Sequence, residues 1–305
     1  MATFFVVNPA AGRGRAGKAW QQIQEALRGI GEWDFACTTG PGQATELARR
    51  AAERGYRRVV ALGGDGTVLE VLNGILGTAA ALGIVPAGTG NDYAREAGIP
   101  FEPLAAARFA MTGPELATDV GEVTLAKRRT YFLNVAGAGF DAEVARAVNR
   151  FPKFLGGTVP YLLGLAKTLW QYRSVPMAIR VDGRDLSRPV FLAAAGLSRT
   201  FGGGMRILPD ARVDDGLLDL CLVRDLPALE VLRLVPKVYR GAHKGHPRVE
   251  LLRCRQVEFE PARPVAVQAD GEVLGTLPGQ IRVLPGAVRL VAAPGVPVRS
   301  RGGGA

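Results

Sequence analysis

The chain has 305 residues, 48% of them hydrophobic and 22% charged, and a formal net charge of +10. That composition excludes a mainly disordered protein, and the length allows two cores of ordinary domain size. Cys37, Cys221 and Cys254 are widely spaced and form no Cys-x-x-Cys pair, which excludes a disulfide framework and a zinc site of the usual spacing and marks them as reduced thiols.

In chain order, residues 4–8 read as a strand, 18–27 as a helix, 33–38 as a strand, 43–54 as a helix, 59–62 as a strand, 67–76 as a helix and 83–85 as a strand. Such alternation predicts a doubly wound α/β domain with a largely parallel sheet. The opening residues read as a buried strand and not as a leader, so a cytoplasmic protein is expected. After about residue 119 the texture changes. Short, turn-bounded, strand-like segments at 122–125, 129–136, 177–181, 190–195, 217–223, 256–260, 265–269 and 280–283 predict a β-rich second domain, a sandwich. Residues 151–170 are apolar but broken by Gly, Pro and Lys, too interrupted to span a bilayer. They read either as a helix packed on the sandwich or as a surface helix entering a membrane interface, with Tyr161 and Trp170 at headgroup level. Residues 299–305 read as a frayed tail.

Charge is unevenly divided. Residues 1–120 carry 11 Lys and Arg against 12 Asp and Glu, whereas residues 121–305 carry 27 against 16. The excess in the second half suits an anionic membrane surface, which attracts each well-placed cation by about 1 kcal/mol. It equally suits an arginine-rich composition, since 32 of the 38 cations are Arg. The cations are scattered without aromatic interleaving, which argues against nucleic acid as a partner.

Three glycine-rich loops each follow a predicted strand: Asn8-Pro9-Ala10-Ala11-Gly12-Arg13-Gly14, Leu62-Gly63-Gly64-Asp65-Gly66-Thr67 and Pro86-Ala87-Gly88-Thr89-Gly90-Asn91-Asp92. Glycine lets backbone N–H groups approach phosphate oxygens, and a following helix N-terminus favours the anion. In a parallel sheet the three loops share one edge, which makes a nucleotide site the leading reading. Asp65 is the odd member, because a carboxylate beside a polyphosphate calls for a cation such as Mg²⁺ between them. Further along, Asp210, Asp214, Asp215 and Asp219 crowd into a short stretch, which calls for a cation or for solvent. Asp270-Gly271-Glu272 reads by itself as a hairpin turn. His243 and His246 are separated by a spacing that would suit one helix face, but Gly245 and Pro247 favour a loop over a metal site.

The three loops, together with Gly202-Gly203-Gly204, Pro209-Asp210-Ala211, Asp214-Asp215-Gly216-Leu217 and Asp270-Gly271-Glu272, resemble the bacterial diacylglycerol kinase family of lipid kinases over nearly the whole chain. Sphingosine kinases and, more distantly, NAD kinases and phosphofructokinases are related to that family. The resemblance implies an N-terminal NAD-kinase-like α/β domain over 1–121, a β-sandwich over 122–284 and a return strand over 285–295, with an active site in the inter-domain cleft. It implies ATP and Mg²⁺ as cofactors and a membrane lipid as acceptor. Nucleotide contacts map onto Asn8, Thr38, Gly64, Asp65, Gly66, Thr67 and Thr89, with Pro9, Gly12, Gly63, Gly88, Gly90, Asn91 and Asp92 completing the loops. Asp65, assisted by Asp119, would hold Mg²⁺ through water, and Glu272 would accept the lipid hydroxyl proton. Asp215, with the carbonyls of Arg212 and Leu217, maps onto a second, structural Mg²⁺ site. The resemblance departs at Leu69, where the family usually has Asn and NAD kinases have Leu. An NAD kinase-like enzyme and a non-catalytic nucleotide- or lipid-binding sensor are therefore the rival readings. Diacylglycerol is the leading acceptor, peripheral association with an anionic membrane is implied, and an exposed edge strand would allow a homodimer.

Overall fold

The computed structural model describes residues 2–126, 128–148, 169–170 and 172–293, so most of the 151–170 segment and the 299–305 tail lie outside the described residues. The described residues group into two compact units, one drawn from residues 2–120, 213–215 and 285–293, the other from the described residues between 121 and 212 and between 216 and 284.

The first unit is built from β1 (Thr3–Val7), α1 (Arg15–Ala26), β2 (Trp33–Cys37), α2 (Gln43–Glu53), β3 (Arg58–Gly63), α3 (Asp65–Ile75), β4 (Ala81–Pro86), α4 (Asp92–Glu96), α5 (Pro103–Thr112) and the start of β5 (Glu115–Leu125). The strands β4, β3, β1 and β2 lie side by side in that order, all parallel. Every residue of β1 and β4 is buried, as expected of strands covered on both faces, whereas β2 at the edge is mostly exposed. The covering helices pack in two pairs, α2 with α3 and α1 with α5. The apolar spacing makes this packing possible: α2 turns Ala44, Ala48 and Ala51 inward and α1 turns Ala16, Trp20 and Ile23 inward. Helix α5 starts at a defined point because Glu102 accepts hydrogen bonds from the N–H groups of Leu104 (2.9 Å) and Ala105 (2.5 Å), with Pro103 in the first turn.

The second unit contains the end of β5, then β6 (Arg128–Phe132), β7 (Val135–Gly139), α6 (Phe140–Val148), β8 (Val175–Val181), β9 (Arg184–Asp185), β10 (Arg188–Val190), β11 (Leu192–Gly196), β12 (Leu218–Val223), α7 (Ala228–Tyr239), β13 (Val249–Cys254), β14 (Gln256–Pro261), β15 (Ala266–Ala269), β16 (Glu272–Thr276) and the start of β17 (Gly279–Val291). One sheet orders β10, β8, β14 and β17; the other orders β13, β12, β11, β7, β15 and β16, antiparallel throughout. Strand β8 alternates buried and exposed residues without exception, and its inward Val175, Met177, Ile179 and Val181 share a core with Ala193, Ala195, Leu218, Leu220 and Leu222 of the second sheet. This is the two-layer sandwich expected from the sequence. The second sheet is covered on its other face too, where Ala194, Cys221 and Val223 pack with Val144 of α6 and with Val231 and Leu234 of α7. Later, β17 reaches the first unit, where Arg289 and Leu290 pair in parallel with Ala81 and Leu82 of β4.

Two sequence-predicted strands differ from the structure. The 129–136 segment is two strands, β6 and β7, divided at Leu133 and Asn134, whose N–H groups, with that of Val135 at the start of β7, donate to the Asp270 carboxylate at 2.9, 3.0 and 3.0 Å. The 190–195 segment is likewise divided between β10 and β11, which pair with different sheets. Helices α5 and α7 have no counterpart in the sequence reading. All three cysteines are free thiols.

The α2–α3 contact generates a test. A Cβ on Gly74 of α3 would lie 2.3 Å from the Thr45 carbonyl oxygen and 2.7 Å from the Ala48 methyl group. Replacing a helical Gly with Ala ordinarily gains about 1 kcal/mol. Here overpacking, which costs about 1–3 kcal/mol, opposes that gain, because the nearest atom belongs to backbone. Gly74→Ala is expected to lower the urea midpoint, and an unchanged or raised midpoint would show that the helices separate freely.

Candidate active site

The parallel register sets β1, β2, β3 and β4 so that Val7 lies beside Cys37 and Leu62, and Leu62 beside Val85; the loops that follow therefore leave one sheet edge together. Asn8 Nδ2 donates to Thr67 Oγ1 at 3.0 Å, joining the first loop to the second. Arg15 Nη2 donates to the Gly88 carbonyl at 3.0 Å, joining the first to the third. The second and third loops meet through backbone, with Ala87 N donating to the Gly63 carbonyl at 2.7 Å. A Cβ at Gly88 would lie 2.4 Å from the Gly64 Cα, and one at Gly12 would lie 2.1 Å from the Ala87 carbonyl oxygen. Within the third loop, Asn91 adopts a left-handed conformation and its amide side chain bonds both the N–H and the carbonyl of Gly88.

Asp65 opens α3, and its Oδ2 accepts from Asn91 N at 2.7 Å. Burial, and next the neighbouring Asp92 charge, push the Asp65 carboxyl above the usual carboxylate range, against the lowering effect of N–H groups at Asn91 and Tyr93. Asp92 is itself buried and pairs with Arg95 at 3.2 Å, while Asp65 has no basic partner among the described residues. A divalent cation would relieve both the burial and the repulsion, so the donor set at Asp65 fits Mg²⁺.

Thr38 sits at the end of β2, its N–H bonded to the Val7 carbonyl at 2.8 Å, on the same edge as the loops. Pro9 and Gly90 are half-buried and Thr89 is exposed. Leu69 is buried within α3 and packs as an ordinary core residue. Asp119 lies in β5, 3% exposed, where its Oδ1 accepts from Gly286 N at 2.8 Å and its own N–H donates to the Val213 carbonyl.

Glu272 and its neighbours belong to the second unit. Asp270 and Gly271 both have positive φ, 48° and 86°, and form the two-residue turn that joins β15 to β16. Glu272 is the first residue of β16, exposed and opposite Ala269. The turn is held by the three N–H bonds to Asp270 and by Gly271 N donating to Gln268 Oε1 at 2.9 Å. Within the acidic stretch, Asp210 pairs with Lys244, Asp219 lies on β12 with its carboxyl pushed up by burial and next by the Asp210 charge, and Arg212, Asp215 and Leu217 are half-buried in the connecting loop. Among the described residues, no three His, Cys, Asp or Glu side chains converge as a metal centre. His243 Nε2 bonds the Ile207 carbonyl and His246 pairs with Glu230, so the two imidazoles serve separate partners in the loop after α7.

Sequence reasoning did not single out Asp141, the second residue of α6. Its Oδ2 accepts from Gln268 Nε2 at 3.0 Å and would lie 1.6 Å from a Cβ at Gly137, while its Oδ1 is buried without a hydrogen-bond partner. The Asp141–Gln268–Gly271 chain thereby supports the turn that carries Glu272. Beside it lies a cavity of about 280 Å³ lined by Phe140, Val144, Phe191, Ile207, Leu234 and Val238 and reaching Gly271. The sequence signal for Asp141 is a single carboxylate in the otherwise apolar run 135–142, which periodicity assigns to no function.

Three glycine loops on the edge of a parallel sheet, joined in one chain to a β-sandwich, define the class, a two-domain phosphotransferase fold. Residues 2–123 match the diacylglycerol kinase catalytic domain, and residues 134–292 match the YegS C-terminal NAD kinase beta sandwich-like domain. The chain belongs to the diacylglycerol kinase family and is a lipid kinase. It is 36% identical over 259 residues to a Chromohalobacter salexigens protein named "Probable lipid kinase YegS-like", covering 83% of this chain and 82% of that one. It is 33% identical over 290 residues to a Mycobacterium tuberculosis diacylglycerol kinase, covering 94% and 93%. The fold is shared with a Bacillus anthracis crystal structure described as a candidate diacylglycerol kinase, at TM-score 0.81 and 24% identity, covering 97% and 96% of the two chains. No helix among the described residues is long and apolar enough to cross a membrane.

The buried Asp141 has a measurable consequence. Burial pushes its carboxyl up to about 6, above the 3.8 of an unperturbed Asp. Below about pH 4 the folded and unfolded chains are both protonated and the penalty is absent; it grows as pH rises to about 6 and is complete at neutral pH. Asp141→Asn, which retains the bond from Gln268, is expected to be more favourable to stability at pH 7 than at pH 3 by about 3 kcal/mol. Denaturant melts at the two pH values check this, and equal effects at both would remove Asp141 from the account.

Proposed function

We propose that the chain transfers the γ-phosphate of ATP to the hydroxyl of a membrane lipid, with diacylglycerol as the leading acceptor and phosphatidic acid as the product. The observation that carries this reading is the apolar cavity reaching Gly271, next in sequence to Glu272. Its lining suits an acyl chain, each buried methylene of which contributes about 0.8 kcal/mol. The names of the M. tuberculosis and Bacillus subtilis relatives favour the diacylglycerol acceptor.

The nucleotide phosphates belong with the three joined loops, where Gly64 and Gly66 bring backbone to the N-terminus of α3 and Asn8, Thr67 and Thr89 add polar side chains. Mg²⁺, when bound, would supply the charge neutralisation that phosphoryl transfer needs. Asp65, aided by Asp119, is assigned to hold it, and Asp215 with the Arg212 and Leu217 carbonyls to hold a second ion of structural role. Glu272 takes the lipid hydroxyl proton. A carboxylate is far too weak a base to deprotonate an alcohol outright in the ground state, so its help comes late, as the new P–O bond forms. Because the acceptor resides in a bilayer, the enzyme works peripherally at a membrane surface.

The test is Mg²⁺-dependent transfer of labelled γ-phosphate from ATP to lipid alcohols in mixed micelles. Label is expected in diacylglycerol, with kcat falling about 10²-fold or more in Asp65→Ala and in Glu272→Ala. Label entering soluble NAD in place of lipid, or full activity in either variant, would overturn the assignment.

A further inference from the structure

Helix α7 has two unlike faces. Val231, Leu234, Val235 and Val238 turn inward and line the apolar cavity. The opposite face carries Leu229, 59% exposed, Leu232, 51% exposed, and Tyr239, 44% exposed. Interleaved with them are Arg233, Pro236, Lys237 and Arg240, all exposed. At 100° per residue the two sets centre on opposite sides of the helix, the outward one divided between an apolar edge and a basic edge.

Other features of the outward face argue against a surface left apolar by chance. Soluble proteins scatter exposed large apolar residues singly, whereas three of the eight most exposed on the described residues fall on this one 12-residue helix. Arg233, Lys237 and Arg240 make no ion pair among the described residues. The helix's one acid, Glu230, lies at the margin of the basic edge, where it is occupied by His246 at 3.1 Å and Arg248 at 3.9 Å. The face is therefore apolar and cationic, and the one acid at its margin is already paired.

We propose that the outward face of α7 is the surface by which the enzyme docks on an anionic lipid bilayer. Leu229, Leu232 and Tyr239 enter the headgroup–acyl boundary, and Arg233, Lys237 and Arg240 meet lipid phosphates. An apolar strip beside a row of long cationic side chains is the pattern of an interfacial helix. The occupant is identified by two complementarities: the cations fit an anionic surface, and the helix's other face continues directly into the cavity assigned to the acyl chain. A helix that lies on the membrane with one face and walls the lipid cavity with the other shortens the path a lipid must travel out of the bilayer. The proposal rests on the lipid kinase reading for its biological sense, but docking itself is measurable without turnover.

The experiment is co-sedimentation of the full chain with vesicles of phosphatidylcholine and of phosphatidylcholine with 30% phosphatidylserine, in low and high salt. It is paired with phosphoryl transfer to a soluble short-chain diacylglycerol. Binding is expected to the anionic vesicles, weakened by salt. Leu229→Ser with Leu232→Ser, and separately Arg233→Glu with Lys237→Glu, should each lower the partition coefficient at least tenfold, because each well-placed cation or buried apolar side chain contributes about fivefold or more. Neither pair should change the melting temperature by more than a few degrees or alter turnover of the soluble acceptor. Vesicle binding that is absent in the parent chain, or unchanged in both pairs, overturns the proposal. So does a parent dimer dispersed by the Leu pair, which would make this face a subunit contact. Vesicle binding as expected without phosphoryl transfer to any lipid would leave the docking surface standing and defeat the kinase reading instead.

Discussion

Backbone lies directly against backbone where the second and third loops meet: no side-chain carbon fits at Gly88 without meeting the Gly64 Cα at 2.4 Å. The first unit's candidate site depends on that approach. It brings Asp65, at the start of α3, within reach of the Asn91 N–H, and it places Gly12 under the Ala87 carbonyl. Asn8 and Arg15 then tie the first loop to the other two by hydrogen bonds that span 59 and 73 residues of sequence. Glycine is costly in chain entropy and Asp65 is costly in desolvation. Both costs fall at the edge of a sheet whose fully buried strands can sustain them.

The second unit meets a different requirement. A sandwich needs one apolar face per sheet, but its second sheet is apolar on both, with Ala193 and Ala195 facing one core and Ala194 the other. The outer core, closed by α6 and α7, is not filled completely, and the space left is the cavity beside Asp141. The polar groups at its end are connected: Asp141 to Gln268, Gln268 to Gly271, and Asp270 to three successive N–H groups. Such a network fixes the main-chain direction at Glu272, whose side chain remains exposed. Docking through α7 would place this cavity's helical wall on the lipid surface.

Local patterning made much of the architecture legible before any coordinates. Residues 4–8, 59–62 and 83–85 read as strands because continuous apolar runs end in glycine loops, and they appear as β1, β3 and β4. The loops themselves were legible for the same reason, since three Gly-rich segments after strands of one parallel sheet must share an edge. The Asp270-Gly271 turn was readable as a hairpin from its dipeptide, and Gly245 with Pro247 kept His243 and His246 out of a helix. Less legible was the break between β6 and β7, because the group bonded there, Asp270, is more than 130 residues away in sequence. Helix α7 escaped notice because Pro236 interrupts its pattern and its outward leucines blur the amphipathic signal.

The sequence by itself determined the α/β-then-β order, the glycine loops and the membership of a lipid kinase family, since these follow from short-range periodicity, turn chemistry and motif order. Tertiary structure alone decided which groups are deprived of water and which meet across distant segments. Asp141 is an unremarked acid in the chain and a desolvated carboxyl in the fold, because Gly137 makes room for it and Gln268 holds it. The same holds for the two faces of α7: residue spacing sets them apart, but only the packing of Val231, Leu234 and Val238 against the second sheet decides which face remains exposed.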